Sequence, residues 1–312
     1  MSIIIGILEE GLIYAILALG VYITYKILDF PDLSVDGTFP MGAAVTAMLI
    51  MKGVPPLLTL FLAFLAGALA GCVTGFIHVK LRVRDLLSGI IMMTALYSLN
   101  LRIAGKANLP IFSKDTIFDN GFLEQVVPEP VKPYLVVLIL LLITIVCKIL
   151  LDLYLNTRSG YLLRAVGDNE VLVTSLARDK GMVKLAGLAV ANGFVALAGC
   201  VYCQQKGFFE ISTGTGAIVI GLANVIIGTK LFKNFHWFFG RVKGDKGKEI
   251  KPRDGLRATT AVILGSLVYR SCVALAISLG MAASDLKLVT AVLFLIILVL
   301  SSKKGKKVNG HA

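Results

Sequence analysis

Three carboxylates, two prolines, a serine and a glycine crowd the run Asp29-Phe-Pro31-Asp32-Leu-Ser34-Val-Asp36-Gly37-Thr38-Phe-Pro40. Acids at this density suit three tasks: coupling a cation, hydrogen bonding a polar solute, or capping a helix. Long apolar runs flank the segment with almost no loop between them. Each charge at the centre of a bilayer costs about 2.5–3.5 kcal/mol. The segment must therefore leave the hydrocarbon, be buried in protein, or line water, because irregular backbone at membrane depth survives only in the last two settings. Two readings stay open on these residues, an interfacial turn capped by Asp and Ser, or a broken helix on a translocation path.

A second polar run, Glu210-Ile-Ser212-Thr213-Gly214-Thr215-Gly216, echoes Asp32-Leu-Ser34-Val-Asp36-Gly37. The first follows the sixth apolar run and the second follows the first. An offset of five spans reverses orientation, so the pair reads as an inverted repeat, or equally as two unrelated helix starts. Asn100, Asn192 and Asn224 sit inside apolar runs, where an amide either contacts a solute or bridges helices. The path candidates are thus Asp32, Ser34, Asp36, Gly37, Asn100, Asn192, Glu210, Ser212 and Asn224. Catalytic signatures are missing. There is no G-x-x-x-x-G-K-S/T phosphate loop, no nucleophile elbow and no H-E-x-x-H, and His78, His236 and His311 are too scattered for a metal site. Cys200 and Cys203 form a C-x-x-C without a companion pair, read as packing rather than redox chemistry.

The elements that must position these residues are membrane spans. The 312 residues are 57% hydrophobic and 16% charged, against about a quarter charged in soluble domains. This apolar content fills roughly nine spans of about 20 residues each, which excludes a soluble enzyme, a disordered chain and a disulfide scaffold. The nine runs are 3–28, 35–51, 55–77, 86–104, 134–155, 182–203, 214–232, 256–279 and 286–300. The fold expected is all-α and polytopic, one membrane domain over 1–302 followed by a basic tail over 303–312. The formal net charge of +12 is a topology signal. Lys and Arg concentrate in 78–84, in 158–184, in 230–257 and in the tail, and such loops are cytoplasmic. Nine alternating spans then put the N-terminus outside and the C-terminus inside. The inner face attracts anionic lipid. Nucleic acid is not an expected partner, because Phe235, Trp237, Phe238 and Phe239 suit an interfacial anchor better than a base-stacking platform.

A polar elbow over 156–184 separates spans five and six. Leu162, Leu163 and Val166 share one helix face, Leu172 and Leu176 repeat the spacing, and Asp168 or Asn169 can cap a second short helix ended by Gly181. The segment is either a surface helix lying on the bilayer or a docking helix for a cytoplasmic partner.

Taken in order, Asp32-Leu-Ser-Val-Asp-Gly, Lys80-Leu-Arg-Val-Arg-Asp, Gly160-x-x-x-Arg164-Ala-Val-Gly-Asp-Asn169-Glu170 and the glycine-rich helix 187–199 resemble the permease subunits of bacterial ABC importers of the branched-chain amino acid and ribose type. The single-permease systems for tryptophan, tyrosine and related solutes are the branch it looks nearest to. The resemblance implies a partner ATPase in the cytoplasm that uses the ATP, an extracellular substrate-binding lipoprotein, and a second permease copy forming a dimer. This chain itself would bind no cofactor. Residue by residue, Gly160, Arg164, Ala165, Gly167, Asn169 and Glu170 match the family's ATPase-coupling loop, and Asp32, Leu33, Ser34 and Gly37 its central broken helix. Two departures stand out: Asp36 intervenes before Gly37, and a long basic insertion occupies 232–256. The function implied is import of a small polar solute, an amino acid above all, by alternating access. The alternative is an ion-coupled secondary transporter with Asp29, Asp32, Asp36, Glu9 and Glu10 as coupling carboxylates.

Overall fold

The computed structural model describes residues 2–120, 128, 131–168, 179–231, 258–278 and scattered positions between 288 and 299. Helix α1 (Ser2–Val21) continues without interruption as a π-helix (Tyr22–Ile27). It is followed by α2 (Val35–Met51), α3 (Pro56–Val79), α4 (Asp85–Ala104), β1 (Asn108–Pro110), α5 (Lys132–Leu155), α6 (Arg158–Asp168), α7 (Lys180–Lys206), β2 (Phe208–Glu210), a 3₁₀ turn (Ile211–Gly214), α8 (Ala217–Leu231) and α9 (Ala258–Ser278).

Among the described residues seven helical stretches are long and apolar enough to cross a membrane, and α2, at 17 residues, is shorter. The expected ninth span, the basic insertion 232–256 and the tail fall outside or almost wholly outside the described residues. The all-α expectation is modified by a short antiparallel ribbon in which Asn108 faces Glu210 and Pro110 faces Phe208. It joins two loops that apolar periodicity leaves unread.

Helix α7 is the centre of the bundle, and its glycine-rich sequence explains why. On α3, an added Cβ at Gly67 would lie 2.3 Å from the Asn192 carbonyl oxygen, and one at Gly71 would lie 2.2 Å from that of Leu188. On α2, a Cβ at Gly42 would fall 1.8 Å from the Ala196 oxygen, while one on Gly199 of α7 itself would fall 1.9 Å from the Phe39 oxygen. Small residues at these crossings let backbones approach closely where no hydrophobic effect drives helices together. The outward faces carry the opposite chemistry. Leu138, Leu142 and Leu153 on α5 are each more than half exposed, as side chains facing lipid must be.

The loops sort into two ends. Gln204 donates to the Pro56 carbonyl, and the ribbon joins the ends of α4 and α7, so the turn around Gly53 and the segments 106–120 and 204–212 share one end. The loop 78–84, helix α6 and the start of α7 share the other. This grouping matches the division that the Lys and Arg distribution implies. At the ribbon end Glu10 of α1 bonds Lys206 of α7 at 3.0 Å and Arg270 of α9 at 2.9 Å. The Arg270 guanidinium also lies 4.2 Å from the centroid of the Tyr14 ring.

Inserting a methyl at a backbone contact forces the helices apart, which costs about 1–3 kcal/mol or more. Gly42→Ala and Gly199→Ala are expected to lower the thermal midpoint of the purified chain markedly. Gly6→Ala, where a Cβ meets nothing within 4 Å, is expected to leave it unchanged. Fluorescence-detected size-exclusion after heating reads the difference.

Candidate functional site

Between the π-helix and α2 the chain leaves helical geometry over residues 28–34, and Asp29 takes φ 51°. This break delivers Asp32 and Ser34 to the middle of α7. Both are buried, Asp32 at 1% exposure. The Asp32 carboxylate accepts from the Ser34 amide at 2.9 Å and the Ser34 hydroxyl at 2.5 Å through Oδ1, and from Asn192 Nδ2 at 2.8 Å through Oδ2. Asn192 Nδ2 also donates to the Leu188 carbonyl at 3.1 Å. A buried carboxylate is tolerated only when hydrogen-bonded, and every partner here is neutral. The segment is an interruption in which Asp32 and Ser34 are buried while Asp29 and Pro31 are exposed.

Asp36 has a different environment. Its two oxygens accept from the amides of Gly216 at 2.9 Å and Ile218 at 2.8 Å, the first amides of α8. A carboxylate from another part of the chain thus serves as the cap that Ala217–Leu231 lacks in its own sequence. Gly216, at φ 85°, turns the chain into this helix, which is why α8 starts later than the apolar run beginning at Gly214. A Cβ at Gly214 would lie 2.1 Å from the Asp36 carbonyl oxygen, so the two echoing segments are in direct contact. They also share a local pattern, an acid accepting from the serine two residues on: Asp32 from Ser34 and Glu210 from Ser212, each at 2.5 Å.

A cavity of about 480 Å³ opens beside this junction. Asp36, Gly37, Asn100 and Ser212 line it together with Met93, Tyr97 and Ser98. Asn100 Nδ2 donates to the Gly37 carbonyl at 3.0 Å, while its buried Oδ1 has no partner. Asp32, Ser34 and Asn192 stand apart from this lining as a closed triad. Asn224 is elsewhere. It meets Ser266 at 3.2 Å, and Ser266 donates to the Gly11 carbonyl at 2.7 Å, so this amide bridges α8, α9 and α1. Tyr97 and Ser98 were not singled out in the sequence, because a polar residue at a helix surface carries no signal until its neighbours are known. Among the described residues no group of three or more His, Cys, Asp or Glu gathers to hold a metal.

Of the elbow residues, Gly160 is buried and Arg164 exposed, with Ala165 and Gly167 between these extremes. Leu163 and Val166 are buried on the expected face. Asn169, Glu170 and the second short helix lie outside the described residues. A Cβ at Gly160 would stand 2.5 Å from the Leu155 Cα, and one at Gly167 would stand 1.7 Å from the Ile27 carbonyl oxygen. The last carbonyl of the π-helix therefore rests on the end of α6. Arg164 borders a polar cavity with Tyr22, Asp152 and Thr259.

The family model described as "Branched-chain amino acid transport system / permease component" matches residues 3–301. A tyrosine transport system permease protein of Clostridioides difficile is 42% identical over 295 residues, 95% of this chain and 90% of that relative. An uncharacterized protein of Rickettsia prowazekii is 32% identical over 301 residues, covering 95% of this chain and 96% of its own length. The ribose import permease protein of Haemophilus influenzae is 23% identical over 227 residues, 72% of this chain and 68% of its own. No solved structure matches.

Removing a neutral donor from a buried charge costs about 1–3 kcal/mol or more. Asn192→Leu is expected to lower the thermal midpoint sharply, and Asn224→Leu to lower it less, because Asn224 serves no carboxylate. Replacing Asp36 with Ala is expected to cost about 0.5–2 kcal/mol, the usual cost of losing a helix cap. Thermal unfolding in detergent orders the three.

Proposed function

This chain belongs to the permease-component family of branched-chain amino acid transport systems, and from that premise we propose that it is the membrane subunit of an ATP-driven importer of a small polar solute, an amino acid above all. The cavity beside Asp36, Gly37, Asn100 and Ser212 is the solute's station on the path. Its mixed lining suits a solute with polar ends and an apolar body, and its volume of about 480 Å³ has room for one. The tyrosine transport named for the Clostridioides difficile relative supports an amino acid as the class.

The single observation that carries the coupling part is the seat of α6. Gly167 rests against the Ile27 carbonyl, and five residues further along the same backbone stands Asp32, locked to Asn192 on the central helix. A push on α6 would therefore reach the broken segment through the five residues of main chain between them. A cytoplasmic ATPase gripping residues 160–181 would push from there, and this chain would bind no nucleotide. Moving an access equilibrium from 1:99 to 99:1 takes about 5.5 kcal/mol of differential binding, which the ATPase cycle would supply in part through this contact. A binding lipoprotein would deliver solute at the ribbon end, placed outside with the N-terminus by the basic-inside bias. A second copy of the chain would complete the pathway about a two-fold axis.

One observation favours the other reading, a proton- or sodium-coupled transporter. Asp32 is a fully buried carboxylate whose partners are all neutral, as coupling carboxylates in membranes can be. Reconstitution separates the two. The importer reading expects uptake only with the ATPase present, and capture of that ATPase by the tagged chain. Uptake by the chain alone that follows an ion gradient would overturn it. Arg164→Glu, at an exposed position, is expected to leave folding intact and lower ATP-coupled uptake about tenfold, within the range of coupling changes seen at relay positions.

A further inference from the structure

At the end opposite the ribbon, the loop between α3 and α4 and the start of α7 enclose a cavity of about 500 Å³. Four cations line it, Arg82, Arg84, Lys180 and Lys184, with the single acid Asp179, and of the four the two lysines already hold interactions of their own. The acid is committed, since its Oδ1 accepts from the Gly181 amide at 2.8 Å and caps α7. The cavity also faces the amino end of a 27-residue helix, where the aligned peptide dipoles add partial positive charge. Arg82 and Arg84 are exposed, and among the described residues neither guanidinium makes an ion pair or a hydrogen bond. The loop that presents them is held in shape. His78 Nδ1 lies 2.9 Å from the Val83 carbonyl oxygen, and Arg82 adopts φ 55°, a conformation that costs a non-glycine residue free energy.

Exposed apolar residues adjoin the lining residues along the chain. Leu81, adjoining Arg82, is 60% exposed, and Leu86 and Leu87, just beyond Arg84, are 46% and 49% exposed. Met182, next to Gly181, is 57% exposed. A free phosphate would satisfy the two arginines and leave these exposed apolar neighbours without an occupant. A molecule with a phosphodiester head and hydrocarbon tails satisfies both, and basic pockets between spans bind such heads.

We propose that the cavity bounded by Arg82, Arg84, Lys180 and Lys184 is a binding site for an anionic phospholipid, its phosphodiester between the two loops and its acyl chains along Leu81, Leu86, Leu87 and Met182. The site depends on the chain lying in a bilayer and not on which solute it carries. A lipid seated there ties the α3–α4 loop to the start of α7, and so steadies the helix that carries Asn192.

The test uses the full chain purified in detergent, with phosphatidylglycerol, phosphatidylcholine or inorganic phosphate added at matched concentration. Phosphatidylglycerol is expected to raise the thermal midpoint and to be retained in native mass spectra, whereas the other two do neither. Arg82→Gln and Arg84→Gln are expected to weaken retention about fivefold each, the effect of one basic charge near a lipid surface. Both side chains are exposed, so both variants fold. Equal stabilisation by phosphatidylcholine would overturn the proposal, as would equal stabilisation by inorganic phosphate, which would mark the cavity as an ion site. Unchanged lipid retention in both variants, with loss of ATPase capture instead, would assign the cavity to the protein partner and overturn it as well.

Discussion

A carboxylate buried in a bundle of lipid-facing helices is the constraint on which the rest of the architecture depends. Asp32 retains its place only because the Ser34 amide, the Ser34 hydroxyl and the Asn192 amide all point at it. The first two donors come from the same short segment, which must be non-helical to present them. The third comes from α7, which must approach closely. That approach explains the small residues at the crossings of α2 and α3 with α7, where Gly42, Gly67, Gly71 and Gly199 sit against backbone oxygens. Larger residues there would hold α7 away and leave the carboxylate with fewer donors than its burial requires.

The same interruption has a second consequence four residues later. Once the chain is free to re-enter as a helix at Val35, Asp36 falls opposite the start of α8 and closes that helix with both of its oxygens. Two interrupted segments distant in sequence thereby satisfy one another, one with a carboxylate and the other with exposed amides. Because these groups are pinned to each other, the space beside them keeps its shape, and the cavity lined by Gly37, Asn100 and Ser212 is what remains between the two breaks. Asp36, which intervenes before Gly37, thus has a hydrogen-bonding role in this chain.

Much of this was legible in composition. Apolar runs located the eight long helices among the described residues to within a few residues, since a bilayer sets helix length. The acids between Asp29 and Asp36 announced an interruption, since charge is expensive in hydrocarbon. What stayed hidden depends on partners. Asn192 and Asn224 look alike in sequence, yet one serves a buried carboxylate and the other joins three helices through Ser266. The π-helix Tyr22–Ile27 has no compositional signature, because one extra residue per turn changes no side chain. The ribbon pairs Asn108–Pro110 with Phe208–Glu210, stretches too short for a period to show. Gly160 and Gly167 matched a family pattern, but only the coordinates reveal that their hydrogens face backbone.

The two ends of the bundle are held by different sets of contacts, although a buried carboxylate, Asp152, also ties α5 to Thr259 of α9 near α6. At the ribbon end, α1, α7 and α9 are tied through Glu10 to Lys206 and Arg270, with the guanidinium also resting on Tyr14. Separating those helices would leave partly buried charges without partners, which is far costlier than parting apolar surfaces. At the opposite end, α6 meets the π-helix through Gly167 against a carbonyl, and α7 meets α3 through Gly71 and Gly75. Contacts of that kind break without stranding a polar group. The contact of α6 falls on Ile27, five residues before Asp32, so the segment nearest to it in the chain is the one where helical hydrogen bonding already stops.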